Sequence, residues 1–267
     1  MKIQGKVWVV TGGGSGMGRE LVLQLLAKGA KVATCDIHQE TMEETLSLAG
    51  NLSSNLSIHV LDITDQEKVS NFPKEVIKTH GAVDGIINNA GIIQPFVDVN
   101  DLEYGKIEQV MKINFYGTLY MVKAFLPELL KRPEAHIANV SSMGGFIPFP
   151  GQTIYGASKA AVKLLTEGLY AELKDTNVKV TVIHPGAVNT HITENSGVST
   201  KTAADSAQAE KMALPASQAA EIMISGIEKD KFRILVGKDA SFLDKFYRLS
   251  PEKAVRFIVK KMGAMMK

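Results

Sequence analysis

The chain has 267 residues, of which 45% are hydrophobic and 22% charged, and its formal net charge is +2. Such a chain can form one large α/β domain, and its small net charge gives no reason to expect a nucleic-acid partner. Cys35 is the single cysteine, which excludes an internal disulfide, and no stretch approaches the ~20 apolar residues that span a bilayer. The first residues lack the apolar stretch of a signal peptide, so we expect a cytoplasmic location.

Apolar segments rich in β-branched residues alternate with segments of helical periodicity along the first 240 residues. This alternation predicts a parallel sheet with right-handed helical crossovers. We therefore predict a three-layer αβα sandwich, which is a doubly wound Rossmann fold with seven parallel strands. The predicted strands are residues 7–11, 31–36, 56–62, 83–88, 136–141, 178–184 and 232–236. The predicted helices are residues 17–28, 39–48, 66–80, 101–131, 153–174 and 216–228, and residues 191–214 form a long polar loop.

A glycine-rich loop directly follows the first predicted strand. It reads Thr11-Gly12-Gly13-Gly14-Ser15-Gly16-Met17-Gly18 and leads into a helix. Glycines let the backbone turn tightly and approach a pyrophosphate, whose charge is attracted by free N–H groups and the helix dipole. A plain β-to-α turn also favours glycine, so the loop alone does not establish a nucleotide site.

Asp36 ends the second predicted strand, 18 residues after Gly18. A carboxylate at this place accepts hydrogen bonds from both adenosine-ribose hydroxyls and repels a 2′-phosphate. Neither Ser15 nor Ile37 offers the cation that would favour NADP. We therefore predict NAD as the cofactor, and the alternative is that Asp36 is a solvated strand end.

Several further motifs follow the loop in a fixed order. They are Asn88-Asn89-Ala90-Gly91, Asn114, Ser142, Tyr155-Gly156-Ala157-Ser158-Lys159, and Pro185-Gly186 followed by Thr190. Together with the glycine-rich loop, this ordered set resembles the short-chain dehydrogenase/reductase superfamily in its compact single-domain branch. The resemblance runs from about Gly5 to Val236 and implies hydride transfer between NAD(H) and the carbon of a secondary alcohol or ketone.

The expected chemistry explains why a Tyr-x-x-x-Lys pair is needed. Ketone reduction requires a proton donor, and free tyrosine has a pKa of about 10. Lys159 lies one helical turn after Tyr155, where its charge should lower the pKa of the phenol, and Ser142 would hold the substrate oxygen. The resemblance implies that Lys159 also bonds the nicotinamide ribose and that Asn114 supports a water relay. The alternative for Asn114 is a buried amide that satisfies backbone groups.

The remaining cofactor roles come from the same resemblance. Asp62 would contact the adenine amino group, although it could instead cap the helix after Thr64. The Asn89 backbone would meet the adenosine side, and Thr190 would contact the carboxamide. No metal is predicted, because no histidine pair has suitable spacing with a nearby carboxylate. The predicted cofactor residues are Gly12, Ser15, Gly16, Met17, Gly18, Asp36, Ile37, Asp62, Ile63, Asn89, Ala90, Gly91, Tyr155, Lys159, Pro185, Gly186, Val188 and Thr190.

The substrate pocket should be formed by segments that follow the strands. Most of their residues are apolar, which favours a hydrophobic or medium-sized substrate, although such residues could also belong to the core. The competing functional hypothesis is a non-catalytic NAD(H)-binding sensor on the same fold. The predicted substrate-lining residues are Ile93, Ser142, Gly144 and Gln152.

Residues 1–240 are predicted to be a single NAD-binding catalytic domain, and residues 241–267 a basic amphipathic helical extension. From Asp244 to Lys267 there are seven basic and two acidic residues. We favour a helix packed on the body or on a sister subunit, and peripheral contact with an anionic membrane is the alternative. The resemblance implies a homodimer, with a tetramer also open.

Overall fold

A computed structural model describes residues 1–198 and 213–263 of the chain. Its strands alternate with helices, as the sequence periodicity predicts. The strands are β1 (Val7–Thr11), β2 (Lys31–Asp36), β3 (Leu56–Val60), β4 (Gly85–Asn88), β5 (Ala135–Val140), β6 (Val178–Pro185), β7 (Val188–Asn189), β8 (Leu214–Pro215) and β9 (Arg233–Val236). The α-helices are α1 (Gly16–Ala27), α2 (Gln39–Leu48), α3 (Gln66–His80), α4 (Tyr104–Met111), α5 (Thr118–Leu129), α6 (Thr153–Glu172), α7 (Ile192–Asn195), α8 (Ala216–Glu228), α9 (Lys238–Leu249) and α10 (Pro251–Gly263).

Seven of these strands form one parallel sheet in the order β3-β2-β1-β4-β5-β6-β9. The strand order reverses between β1 and β4, which opens a crevice at their carboxyl ends, where doubly wound sheets bind ligands. Helices cover both faces of the sheet, and the predicted three-layer Rossmann fold is thereby confirmed.

The hydrophobic core lies in two layers, one on each face of the sheet. In β1, Trp8 and Val10 face one layer, while Val7 and Val9 face the other. Side chains alternate across a strand, and β1 is buried on both faces, so a continuous apolar run is what this central strand requires.

The structure corrects the predicted helix over residues 101–131. It divides into α4, a π-helical turn at Lys112–Gly117, and α5. Within that turn the carbonyl oxygen of Asn114 accepts a hydrogen bond from the Thr118 hydroxyl at 2.9 Å, and the Asn114 side chain is engaged outside the helix. Such turns often occur at functional sites. Hydrophobic periodicity cannot reveal one inserted residue.

Smaller corrections concern segment ends and the predicted loop. The third strand ends at Val60, two residues earlier than predicted, and the fourth begins at Gly85 rather than at residue 83. The predicted loop at 191–214 contains α7 and contributes Leu214 to the short β7–β8 pair, while residues 199–212 lie outside the described part of the chain. In the part that is described, every helix is too short or too polar to cross a membrane.

The last two helices pack on the body of the protein. Leu243 of α9 and Ala254 and Ile258 of α10 form a buried cluster with Ile147. Arg233 of β9 anchors them through two bonds to the Asp244 carboxylate, at 2.8 and 3.1 Å. The C-terminal helices therefore rest against the segment that follows β5.

Candidate active site

The glycine-rich loop joins β1 to α1 at the crevice. Gly12 and Gly16 have φ values of +72° and +52°, which other residues rarely adopt. A Cβ atom at Gly18 would overlap the Gly12 carbonyl. Glycine is therefore required at these three places for the loop to turn and for α1 to begin directly behind it.

A cavity of about 310 Å³ lies over this loop. The cavity also borders residues that were not predicted, notably Cys35, Gln109, Ile113, His191 and Asn195. A further close contact comes from α7, where Asn195 Nδ2 donates to Ser15 Oγ at 3.0 Å. The predicted cofactor residues that line the cavity are Gly12, Ser15, Gly16, Met17, Gly18, Asp36, Ile37, Asp62, Ile63, Asn89, Ala90, Gly91 and Thr190.

Five predicted cofactor residues do not line this cavity: Tyr155 and Lys159, which are described below, and Pro185, Gly186 and Val188. Pro185 is the buried last residue of β6. Gly186 donates its N–H to Val236 O at 2.8 Å, and Val188 pairs with Leu214 in the short second sheet. They hold the segment that carries Thr190 to the cavity rim.

Asp36 stands at the end of β2 and points its carboxylate toward the glycine-rich loop. Its Oδ2 accepts from Gly14 N–H, and its Oδ1 accepts from His38 N–H, both at 3.2 Å. The nearby guanidinium of Arg19 is occupied: it donates to the Thr41 carbonyl and forms an ion pair with Glu44 at 2.7 Å. This end of the cavity therefore presents a carboxylate, and its neighbouring arginine is bound to protein groups.

The alternative role considered for Asp62 is wrong. The residue that caps α3 is Asp65, whose side chain accepts from Lys68 N–H. Asp62 Oδ1 accepts from Thr64 N–H at 2.8 Å in a local turn, and the residue is exposed at the cavity wall.

Asn88 and Asn89 have different surroundings. Asn88 Nδ2 donates to Asn139 Oδ1 at 2.8 Å and so ties β4 to β5. Asn89 bonds the end of β1, with its Nδ2 donating to Thr11 O at 3.1 Å and its N–H to Thr11 Oγ1 at 3.0 Å. These bonds fix the backbone at the cavity wall.

Ser142 and Tyr155 meet beyond the carboxyl end of β5. Ser142 follows that strand, and its Oγ accepts from Gly144 N–H at 3.0 Å. Tyr155 lies in the first turn of α6. Burial raises the pKa of the Tyr155 phenol, and a hydrogen bond with Ser142 partly opposes this.

The expected lowering of the Tyr155 pKa by Lys159 is wrong for this arrangement. The Lys159 ammonium donates to Val140 O at 3.0 Å, and burial is the dominant influence on the phenol. Burial also lowers the pKa of Lys159 to about 8. Desolvation disfavours the charged form of each group and so moves the two pKa values in opposite directions.

Gly91 leaves room in front of this lysine. A Cβ atom there would lie 3.0 Å from Lys159 Nζ and 3.1 Å from Asn114 Oδ1. Because Gly91 also lines the cavity, the absence of a side chain keeps the space open between the cavity and the ammonium. This explains why the Asn-Asn-Ala-Gly motif ends in glycine.

Asn114 is fully engaged with protein groups through its side chain. Its Oδ1 accepts from Ile92 N–H, and its Nδ2 donates to Ile92 O and to Ser158 Oγ, all at 2.9 Å. The amide thus satisfies backbone groups, which is the alternative drawn from the sequence. The water relay stays a prediction.

Gln94 holds the start of the helix that carries Tyr155, a role that the sequence did not suggest. Its buried Oε1 accepts from the N–H groups of Ile154 and Tyr155, at 2.8 and 3.0 Å. Its Nε2 donates to Gly151 O at 3.0 Å, and its carbonyl accepts from Gln152 Nε2 at 2.8 Å. The first N–H groups of a helix need outside partners, and this glutamine supplies two.

We expect Gln94→Leu to lower the free energy of unfolding by about 2 to 4 kcal/mol, since each buried donor left without a partner costs about 1 to 3 kcal/mol. Urea denaturation followed by circular dichroism measures the change. Gln109→Leu, an exposed helical position on the cavity rim, is the control and should have little effect. A Gln94→Leu variant as stable as the parent would contradict the capping role.

His184 supports the Ser142 segment from the neighbouring strand. It is fully buried, and its Nδ1 donates to the Ser142 carbonyl at 3.0 Å. Burial lowers its pKa to about 4, so the ring is neutral at physiological pH. This hydrogen bond depends on the β5–β6 register, which the sequence does not reveal.

The predicted substrate-lining residues Ile93, Gly144 and Gln152 have different surroundings. Ile93 is buried and donates its N–H to Ser196 Oγ at 3.0 Å. Gly144 would place a Cβ 3.5 Å from the Tyr155 ring. Buried Gln152 Oε1 has no hydrogen-bond partner among the described residues, so it can accept one from a substrate.

Comparison with known proteins identifies the class. The family model for short chain dehydrogenases matches residues 6–200. A putative oxidoreductase, SadH, of Mycobacterium tuberculosis is 34% identical over 252 residues, covering 92% of this chain and 91% of that protein. The chain therefore belongs to the short-chain dehydrogenase/reductase family of oxidoreductases.

Two solved structures show the same architecture with a cofactor. A short-chain dehydrogenase/reductase of Burkholderia phymatum in complex with NAD superposes with a TM-score of 0.85 at 25% identity, covering 94% of this chain and 96% of that one. A short-chain dehydrogenase of Burkholderia cenocepacia in complex with NADP gives 0.79 at 25% identity, covering 97% and 99%. A nicotinamide dinucleotide is thus the cofactor class that this family membership supports.

Proposed function

We propose that the protein transfers a hydride between NAD(H) and the carbon of a secondary alcohol or ketone, with Tyr155 as the general acid and base. The observation that carries this proposal is the hydrogen bond between Ser142 and Tyr155 beyond the carboxyl end of β5, with Lys159 one helical turn further along α6 and next to Gly91, which lines the cavity. The dinucleotide supplies the hydride when bound. Gly12, Gly16 and Gly18 line the cavity at the start of α1, and a helix N-terminus behind a glycine-rich turn suits the pyrophosphate of such a group.

The proton chemistry follows from the environment of the phenol. A phenol whose pKa is raised by burial keeps its proton and is suited to donate it to the alkoxide that forms during ketone reduction. In this proposal Ser142 holds the substrate oxygen, and the Lys159 amine acts from beside the space left by Gly91. In alcohol oxidation, the positive charge of oxidised nicotinamide would favour the phenolate.

The surroundings of Asp36 favour NAD over NADP. Its carboxylate accepts from two backbone N–H groups, which keeps it aimed at the place where a ribose hydroxyl would bind. A 2′-phosphate would meet this negative charge, while Arg19 is already paired with Glu44. Selection of NAD over NADP would therefore result from repulsion between Asp36 and a 2′-phosphate, and from the ion pair that occupies Arg19.

We expect Asp36→Asn to weaken NADH binding by about tenfold and to strengthen NADPH binding, because hydrogen bonds to charged groups contribute about 1.5 to 3 kcal/mol. Fluorescence titration with both dinucleotides measures this. Glu40→Gln removes the same charge from an exposed position on α2 and is the control. Tighter NADPH than NADH binding by the parent protein would contradict the role of Asp36.

The substrate side is mainly apolar. Met143, Phe146 and Phe149 are partly buried in the segment after Ser142 and pack with Ile147. Such a lining favours a hydrophobic or medium-sized alcohol or ketone, with Gln152 as a polar contact.

We also propose that the protein forms a homo-oligomer. Tyr116 is 45% exposed beside Asn114, and Leu164 is 68% exposed on the helix that carries Tyr155. Exposed apolar side chains on these two segments are suited to contact with another copy of the chain.

The direct test is a panel of secondary alcohols with NAD and ketones with NADH, followed by NADH absorbance. Turnover of at least one apolar member supports the proposal. The alternative of a non-catalytic sensor predicts saturable NADH binding without turnover across the whole panel.

A further inference from the structure

The two C-terminal helices present an outward surface that the catalytic proposal does not use. We call the exposed side of residues 242–261 the outer face. Phe242 is 55% exposed, Leu249 86%, Phe257 39% and Val259 50%. Large apolar side chains grouped in this way on a protein surface commonly mark an interaction site.

The outer face is held in position by the packed side of the same helices. Leu243, Ala254 and Ile258 face the body of the protein, and Asp244 is bonded to Arg233. Because these inner residues fix the rotation of both helices, the opposite residues must point outward. The exposure of Phe242 and Leu249 is therefore set by the fold.

Aromatic contacts join the two helices at this surface. The ring of Phe242 lies 5.8 Å from that of Phe246 and 6.1 Å from that of Phe257, measured between centroids. Phe242 and Leu249 are two helical turns apart and share one side of α9, with Lys245 between them. The apolar groups thus form one patch with basic residues beside it.

The exposed charged residues of the outer face are mostly basic. The exposed acidic residue of this face is Glu252, which pairs with Arg256, while buried Asp244 is bonded to Arg233 and Arg248. The exposed basic residues of this face are Lys245, Arg248, Lys253, Arg256, Lys260 and Lys261.

We propose that the outer face docks on an anionic lipid surface. A helix pair with aromatic and aliphatic residues among lysines and arginines fits the boundary between acyl chains and negative headgroups. A second copy offering the same face would bring like charges together. Charge complementarity therefore selects anionic lipid over a symmetric contact between copies.

Docking would also orient the catalytic site. Phe246 and Tyr247 of α9 pack in the same cluster as Met143 and Phe149, which follow Ser142. The substrate side would then lie close to the bilayer, where apolar alcohols and ketones partition. This orientation rests on the proposed function, whereas the docking does not.

The test is sedimentation of the full chain with vesicles of phosphatidylcholine alone or mixed with phosphatidylglycerol. We expect binding to the mixed vesicles to weaken as salt rises. Each basic residue near such a surface contributes about fivefold, so Lys245→Glu with Lys253→Glu should reduce binding by at least about 25-fold. Phe242→Ser with Leu249→Ser should reduce it without changing the charge.

The matched control is Lys74→Glu with Lys78→Glu, which makes the same charge change at exposed positions of α3 and should leave binding unchanged. Thermal melting with NADH checks that every variant is folded. Equal binding to neutral and mixed vesicles, or equal loss in the control, would overturn the proposal. The proposal would also be overturned if the outer-face substitutions abolished self-association of the protein but left vesicle binding unchanged. Because no substrate is needed, failure of the catalytic assay leaves this test intact.

Discussion

Replacement of Tyr155 by phenylalanine is expected to lower kcat by about three orders of magnitude, because general acid–base catalysis contributes about 10²- to 10⁴-fold. In the proposed reaction the phenol exchanges a proton with the substrate oxygen, and its hydrogen bond with Ser142 would orient it for this role. Phenylalanine fills the same space without the hydroxyl. The dissociation constant of NADH should be nearly unchanged. Steady-state kinetics and fluorescence titration measure the two effects separately.

Tyr170→Phe provides the control for this experiment. Tyr170 belongs to the same helix and begins a second Tyr-x-x-x-Lys pair with Lys174, but it is 45% exposed and packs on Phe232. We expect its replacement to leave kcat unchanged. Survival of turnover in Tyr155→Phe would show that another group donates the proton.

Replacement of Lys159 by methionine should remove activity and also make the protein more stable at pH 7. Burial lowers the pKa of this amine from 10.5 to about 8, and the difference corresponds to about 3 kcal/mol against the charged form in the folded state. Methionine fills a similar volume without that cost. Loss of the bond to Val140 O offsets part of the gain, so we expect a net increase of about 1 to 2 kcal/mol in the free energy of unfolding.

The pH dependence gives this prediction a definite sign. Below pH 8 the amine is protonated in both the folded and the unfolded chain, and the full cost is present. Between about pH 8 and 10.5 the folded chain loses the proton first, so the parent gains stability relative to the variant. Urea denaturation at pH 7 and pH 10 measures the difference. Equal stability of the parent protein at pH 7 and at pH 10 would contradict a buried, charged Lys159. Lys163→Met, on the same helix, is the control.

The parts of the fold that could be predicted have strong local signals. The limits of β1 and β2 agree with the prediction because buried parallel strands are continuous apolar runs ended by a polar residue or a glycine loop. The break near Asn114 could not be predicted in this way. It depends on the Thr118 hydroxyl and on Ile92, which is distant in the sequence.

The site likewise contains residues that the sequence reveals and residues that only the structure reveals. The Tyr155 and Lys159 pair is readable because one helical turn separates the two residues. Gln94 and His184 act through hydrogen bonds to Ile154, Tyr155 and Ser142, whose partners are set by tertiary packing. A buried amide with no helical or strand periodicity around it is a weak signal that could have directed attention to Gln94.

The C-terminal extension shows what composition can and cannot predict. Its basic and amphipathic character is evident from the sequence, and one of its faces does pack on the body. Which residues remain outside depends on the rotation that Asp244 and Arg233 impose. Exposure of Phe242 and Leu249 is therefore information that only the structure provides.

Transfer of deuterium is the most direct test of hydride exchange at this site. NADH in which both hydrogens at nicotinamide C4 are deuterium should be incubated with the enzyme and the ketone panel, and the product alcohols examined by mass spectrometry and NMR. We predict deuterium on the carbinol carbon with the parent protein and none above background with Tyr155→Phe. Full NADH binding with no labelled alcohol from any ketone in the panel would contradict the proposed reaction and favour a sensor.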